Sequence, residues 1–105
     1  MNKNFGFVKV ATAVPRVRVA DCAYNLQQML DLIAQAEEER AAVVCFPELS
    51  VTAYTCLDLF NQQVLLEAAE QAVKDLLSYS TGTDTIIIVG TPVTHACTVL
   101  DCAAV

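Results

Sequence analysis

The stretch that decides the fold is Val43-Val44-Cys45-Phe46-Pro47-Glu48-Leu49-Ser50-Val51-Thr52-Ala53-Tyr54. An apolar run ends at a proline, and a carboxylate follows at once. A strand apolar at every position has no polar side to offer water, so Ala41–Phe46 is predicted to be a strand buried on both faces. Pro47 ends the ladder because it carries no N–H. The next residue, Glu48, is then delivered at the C-terminal end of a buried strand, where open α/β sheets assemble their sites.

Working outward, Phe7–Val14 alternates Val8, Val10 and Val14 on one side with Ala11 and Ala13 on the other, the period of a strand. Asp21 is placed to cap a helix running to about Arg40, with Leu26, Met29, Leu30, Ile33 and Ala36 at helical spacing. The charge run Glu37-Glu38-Glu39-Arg40 reads as its solvated end. Leu49–Phe60 reads as a loop with some helical character. A second helix is predicted over Asn61–Ser80, its inner stripe being Leu65, Ala69, Ala72, Val73 and Leu76. Thr85–Val89 reads as a third strand and Thr98–Val105 as a fourth. The order β-α-β-α-β-β predicts an α/β fold with a mostly parallel sheet and right-handed crossovers. The last strand has no following element, so its outer edge and one sheet face are expected to be open.

Composition narrows the function. The 105 residues are 55% hydrophobic and 17% charged, against about 25% charged in ordinary soluble domains. Mean hydropathy is +0.47. So short a chain keeps a large surface fraction and cannot hide that much apolar side chain in its own interior. The uninterrupted apolar runs, Ala41–Phe46 and Ile86–Val89, fall far short of the ~18 residues of a spanning helix, so the excess apolar surface is expected to meet other protein rather than membrane. The net charge is −6 and no basic patch exists, which argues against a nucleic-acid partner. Lys9, Pro15, Arg16 and Arg18 break the amino-terminal apolar stretch, unlike a signal peptide, and the expected location is the cytoplasm. Three glycines, Gly6, Gly82 and Gly90, form neither a dinucleotide-binding nor a phosphate-binding loop.

The five cysteines, Cys22, Cys45, Cys56, Cys97 and Cys102, contain no C-x-x-C pair. With His95 as the single histidine, no metal site is expected. Free thiols packed as small hydrophobes are the simpler reading, Cys45 among them. His95 reads as a turn residue between strands.

Phe46-Pro47-Glu48-Leu49 followed by Thr52-Ala53-Tyr54 resembles the first signature of the nitrilase, or carbon-nitrogen hydrolase, superfamily. The run Tyr54-Thr55-Cys56-Leu57-Asp58-Leu59-Phe60 narrows the resemblance to the amino-terminal glutaminase domain of the glutamine-dependent NAD synthetases. Phe7–Ala13, Ile88–Val93 and Leu100–Val105 fall where that family has further strands. The sequence departs from the pattern at Ala53, where the family usually has glycine, and at Asp101, where it usually has asparagine.

The resemblance implies that residues 1–105 are the first part of a four-layer α-β-β-α sandwich, a partial glutaminase domain without its synthetase domain. It implies that Glu48 is the general base of a Glu-Lys-Cys triad whose lysine and cysteine lie beyond this chain. Lys74 is not the triad lysine, none of the five cysteines occupies the nucleophile position, and the 105 residues alone are expected to be inactive. Glutamine would be the substrate, homo-oligomers are expected, and ATP and Mg²⁺ would belong to the synthetase domain, with no cofactor in these residues. From the residues themselves, a carboxylate after a buried strand is expected to be partly desolvated and so raised toward the range of a working base. The alternative is a glutamate at a helix start, interacting with backbone N–H groups. Tyr54 and Asp58 are candidates for the glutamine pocket. Equally, Tyr54 can be a core aromatic and Asp58 a cap for the second helix. Two other readings of the chain stay open: another carbon-nitrogen hydrolase (an amidase, nitrilase or carbamoylase), and a non-catalytic module that pairs through its open sheet.

Overall fold

The computed structural model describes residues 6–105; the first residues of the amino-terminal segment discussed above lie outside them. The elements are β1 (Val10–Thr12), α1 (Cys22–Glu38), β2 (Val43–Cys45), α2 (Gln63–Ser80), β3 (Ile86–His95) and β4 (Thr98–Ala104), with a 3-10 helical segment at Tyr54–Asn61. They build one four-stranded sheet in the order β1-β2-β3-β4. The first two pairings are parallel and the β3–β4 pairing is antiparallel. Strand order and crossover pattern are those of the alternation in the sequence.

The helices cover one face of the sheet. Ala11, Val44 and Ile87 are in register across β1, β2 and β3 and pack with Met29, Ile33, Leu65, Ala69 and Leu76 in one core. All of the predicted inner positions of α1 and α2 lie in this core or against it. The other face carries Val10, Val43 and Ile86 in register. Val10 is 63% and Ile86 51% exposed, so among the described residues nothing covers that face around these two side chains.

Asp21 caps α1, its Oδ1 accepting from the Tyr24 N–H at 3.1 Å. The helix ends in a Schellman turn, with Arg40 N–H donating to Glu37 O and Ala41 N–H to Ala36 O. Arg40 stands at φ 59°, where glycine is usual, and the helix therefore stops at Glu38, two residues before the expected end. Glu37 is not simply solvated. It accepts from the Tyr79 hydroxyl and, at 2.7 Å, from the Thr83 hydroxyl, tying the ends of the two helices together. That hydrogen bond, with lesser contributions from burial and charge, raises the Tyr79 hydroxyl pKa.

Two strand lengths differ from expectation. β1 is three residues instead of eight, because β2 offers it only Val43–Cys45 to pair with. β3 runs on past Gly90 and Pro92 to His95 as one arm of a hairpin. By then β2 has ended at Cys45, opposite Ile88, so this half of β3 has a single strand neighbour, the setting in which a strand tolerates proline. The hairpin turns on Ala96 and Cys97, both at positive φ, the geometry of a two-residue turn that more often carries Asn-Gly. His95 is the last residue of β3, beside that turn.

Candidate active site

Pro47 to Ala53 forms consecutive turns at the C-terminal end of β2. These turns are bound on every side. Within them, Ser50 N–H donates to Pro47 O and Thr52 N–H to Leu49 O. Toward β3, Val51 N–H donates to Gly90 O at 3.1 Å, and the Gly90 N–H donates to Ser50 Oγ at 3.3 Å. Toward the β1–α1 connection, Ala20 N–H donates to Thr52 O at 2.9 Å. The Cys56 thiol donates to Thr52 O at 3.0 Å.

Asn25 is the central tie. It is fully buried. Its Nδ2 donates to Arg18 O and Val51 O, each at 2.9 Å, and its Oδ1 accepts from the Arg18 N–H at 2.7 Å. One side chain of α1 thus fixes the loops after β1 and after β2. Helical periodicity does not single it out, because Asn25 lies in the apolar stripe without being apolar; a buried polar residue is kept when its partners are backbone groups.

Gly90 sets the height of the turns above the sheet. A Cβ on Gly90 would stand 2.3 Å from Leu49 N, 2.7 Å from Pro47 O and 2.8 Å from the carbonyl carbon of Glu48. The backbone carrying Glu48 therefore rests directly on a glycine. An isolated glycine in an otherwise apolar strand was the available signal. Two non-glycine residues in the turns take up positive φ: Leu49 at 53°, and Ala53 at φ 70° with ψ 151°, a region used almost only by glycine. The left-handed requirement implied at Ala53 is present, with a Cβ on it.

Glu48 projects from the top of these turns and is exposed, not desolvated as expected from the strand preceding it. Its pKa is nonetheless raised. The cause is Asp101 on β4, first through a hydrogen bond between the two carboxyl groups and then through its charge, with burial the least contribution. The helix-start alternative does not hold, since the turns run on to Ala53 and helical residues begin only at Tyr54. Glu48, Asp101, Cys45 and Cys102 line one shallow cavity of about 230 Å³ floored by Ile88 and Gly90. Cys45 is half-buried, its Sγ 3.7 Å from Phe46 O, so it borders the cavity rather than serving only as packing. Among the described residues no Lys, Arg or His lines it.

Tyr54 and Asp58 do not line this cavity. Tyr54 is 65% exposed, which also removes its reading as a core aromatic. Asp58 is exposed in the 3-10 segment, which breaks at Leu57. It does not cap α2: the cap is Gln62, with no side-chain hydrogen bond. Elsewhere, burial pushes the Cys22 thiol up to about 11, with lesser effects from Cys56 and Asp21, which keeps it protonated. Among the described residues no three His, Cys, Asp or Glu side chains are grouped to hold a metal ion, and no helix is long and apolar enough to cross a membrane.

Residues 9–105 match the carbon-nitrogen hydrolase family. The chain belongs to that family. A glutamine-dependent NAD(+) synthetase from Mycobacterium bovis is 34% identical over 90 residues, which is 86% of this chain and 13% of the relative. Among solved structures, a glutamine-dependent NAD(+) synthetase from Cytophaga hutchinsonii superposes with a TM-score of 0.79 at 27% identity, covering 91% of this chain and 16% of its own. An amidase from Nesterenkonia sp. superposes with a TM-score of 0.71 at 24% identity, over 81% of this chain and 32% of its own, a likeness of fold. This carbon-nitrogen hydrolase chain thus has the nitrilase-type mixed α/β fold, resembles the glutaminase domain of the NAD synthetases, and spans about an eighth of the length of the curated relatives it matches.

Proposed function

We infer that the chain is the first part of a glutaminase domain that hydrolyses glutamine and supplies ammonia to an ATP-dependent synthetase acting on deamido-NAD. The observation that carries this reading is Glu48, on a turn hydrogen-bonded to β3 beside a cavity, in a chain whose similarity runs to NAD synthetases over nearly all its length.

Glu48 is the general base of the reaction. Its carboxylate takes the thiol proton of a cysteine, and the thiolate sulfur attacks the amide carbon. The C–N bond breaks, the leaving nitrogen takes a proton and departs as ammonia, and water hydrolyses the thioester. On this reading the lysine and the nucleophilic cysteine of the triad come from outside residues 1–105. Cys45 and Cys102 border the cavity, but a thiolate nucleophile needs a positive neighbour, and among the described residues none lines it. Residues 1–105 are therefore the base-bearing half of the glutaminase unit. ATP and Mg²⁺ act in the synthetase unit and the setting is the cytoplasm. The uncovered sheet face, with Val10 and Ile86, is the surface on which the rest of the sandwich and other subunits assemble.

Tyr54 and Asp58 stay candidates for the glutamine pocket only as residues completed by that second sheet, since both are exposed here. The competing reading is an amidase of the same fold, to which the Nesterenkonia structure is similar. A panel of amides offered to the protein that carries this chain separates the two. Turnover of glutamine well above that of simple aliphatic amides is expected; preference for aliphatic amides or nitriles would overturn the glutaminase reading.

A further inference from the structure

The hairpin brings a second carboxylate to Glu48. In the antiparallel ladder Asp101 is opposite Pro92 and Ala103 opposite Gly90. Alternation along β3 and β4 puts these four residues on one face. A Cβ built on Gly90 runs into the Pro47–Leu49 backbone, so the turn carrying Glu48 lies over that same face. Between Glu48 and β4 there is then only a glycine, with no side chain to separate the two carboxyl groups. Both line the 230 Å³ cavity.

The other titratable groups around Glu48 are Cys45 from β2 and Cys102 from β4; β3 contributes only Ile88, Val89 and Gly90. Among the described residues no cation faces the pair. Two carboxylates at close quarters without a cation repel, and the arrangement is relieved when one keeps its proton and donates it to the other.

We propose that Asp101 is a positioning residue for Glu48: it accepts a hydrogen bond from the protonated Glu48 carboxyl across the cavity and so sets the pH at which Glu48 becomes free to act as a base. The base half of this statement rests on the reading under Proposed function; the pairing of the carboxyl groups does not. The hydrogen bond to Asp101 and its charge hold the Glu48 carboxyl above its ordinary range. A raised pKa keeps the proton on as pH rises, so the base form of Glu48 appears later than for a lone glutamate. The acid limb of the pH–rate profile moves up with it. Replacing Asp101 by asparagine removes the charge and keeps the shape, at an exposed position where folding is not at stake.

The test is the ¹³C NMR titration of the Glu48 side-chain carboxyl in the protein that carries this chain, as wild type, Asp101→Asn and Asp101→Glu, together with kcat/KM for amide hydrolysis against pH in the same proteins. In the wild type the Glu48 midpoint lies above the ordinary ~4.3 of a glutamate. It falls toward that value in Asp101→Asn and stays raised in Asp101→Glu. The acid limb of kcat/KM moves to lower pH in Asp101→Asn by the same amount. An identical Glu48 midpoint in wild type and Asp101→Asn overturns the pairing. A midpoint that falls while the acid limb stays in place supports the pairing and overturns Glu48 as the base.

Discussion

Replacing Gly90 by alanine tests whether the sheet itself fixes the height of the Glu48 turn. The added Cβ would lie 2.3 to 2.8 Å from three backbone atoms of residues 47–49, where atoms normally approach to about 3.5 Å. Backbone cannot escape by changing rotamer, so the turn must lift by roughly 1 Å. Lifting it breaks the pair of hydrogen bonds between Gly90 and residues 50 and 51. Each buried group left unpaired costs about 1–3 kcal/mol, and overpacking costs about 1–3 kcal/mol. Part of the strain is relieved by the lift itself, so the expected loss is about 4 kcal/mol. At about 4–8 °C per kcal/mol, the melting temperature falls by roughly 15 °C or more. Gly82→Ala is the control, since a Cβ there meets only Tyr79 O at 3.8 Å, and it should be neutral or slightly stabilising. Urea unfolding of the three proteins side by side measures both. A Gly90→Ala protein within about 1 kcal/mol of wild type would show that the turn is not seated on β3 as described.

Asn25→Leu leaves Arg18 N–H, Arg18 O and Val51 O without their partner. It should cost about 3 kcal/mol or more, read by the same unfolding curves; a loss under 1 kcal/mol would mean the loops are held otherwise. The bare sheet face should make the 105-residue chain associate, since each Å² of apolar surface buried contributes ~25 cal/mol. Sedimentation velocity should show oligomers that shrink when Val10 and Ile86 are both changed to lysine, whereas a monodisperse wild-type monomer at high concentration would remove that face as an interface.

The helices were legible because their apolar stripes carry the 3.6-residue period over more than four turns, and Asp21 marks a start that the structure keeps. Strand lengths were less so. β1 looks like eight residues of alternating strand, yet a strand extends only where a neighbour pairs with it, and β2 supplies three. Gly90 and Pro92 read as the end of β3, but β2 has already stopped there and the ladder passes to β4. Glu48 was legible as the residue following a buried strand and proline. The cause of its raised pKa was not, because Asp101 is 53 positions away and reaches it only through the hairpin register. Asn25 holds the site through bonds to backbone groups, which carry no residue-specific signal, whereas Gly90 had one, an isolated glycine in an apolar strand. Tyr54 and Asp58 were singled out by resemblance, and neither lines the cavity that Glu48 borders.

The central claim is that Glu48 is the base of a glutaminase site, and Glu48→Gln in the protein that carries this chain tests it most directly. Glutamine keeps the shape of the side chain and cannot accept the thiol proton. The expected result is loss of glutamine hydrolysis and of glutamine-dependent NAD synthesis by a factor of about 10² or more, with synthesis from added ammonia largely kept. Near-normal glutamine turnover by Glu48→Gln would contradict the account and leave Glu48 a surface carboxylate paired with Asp101.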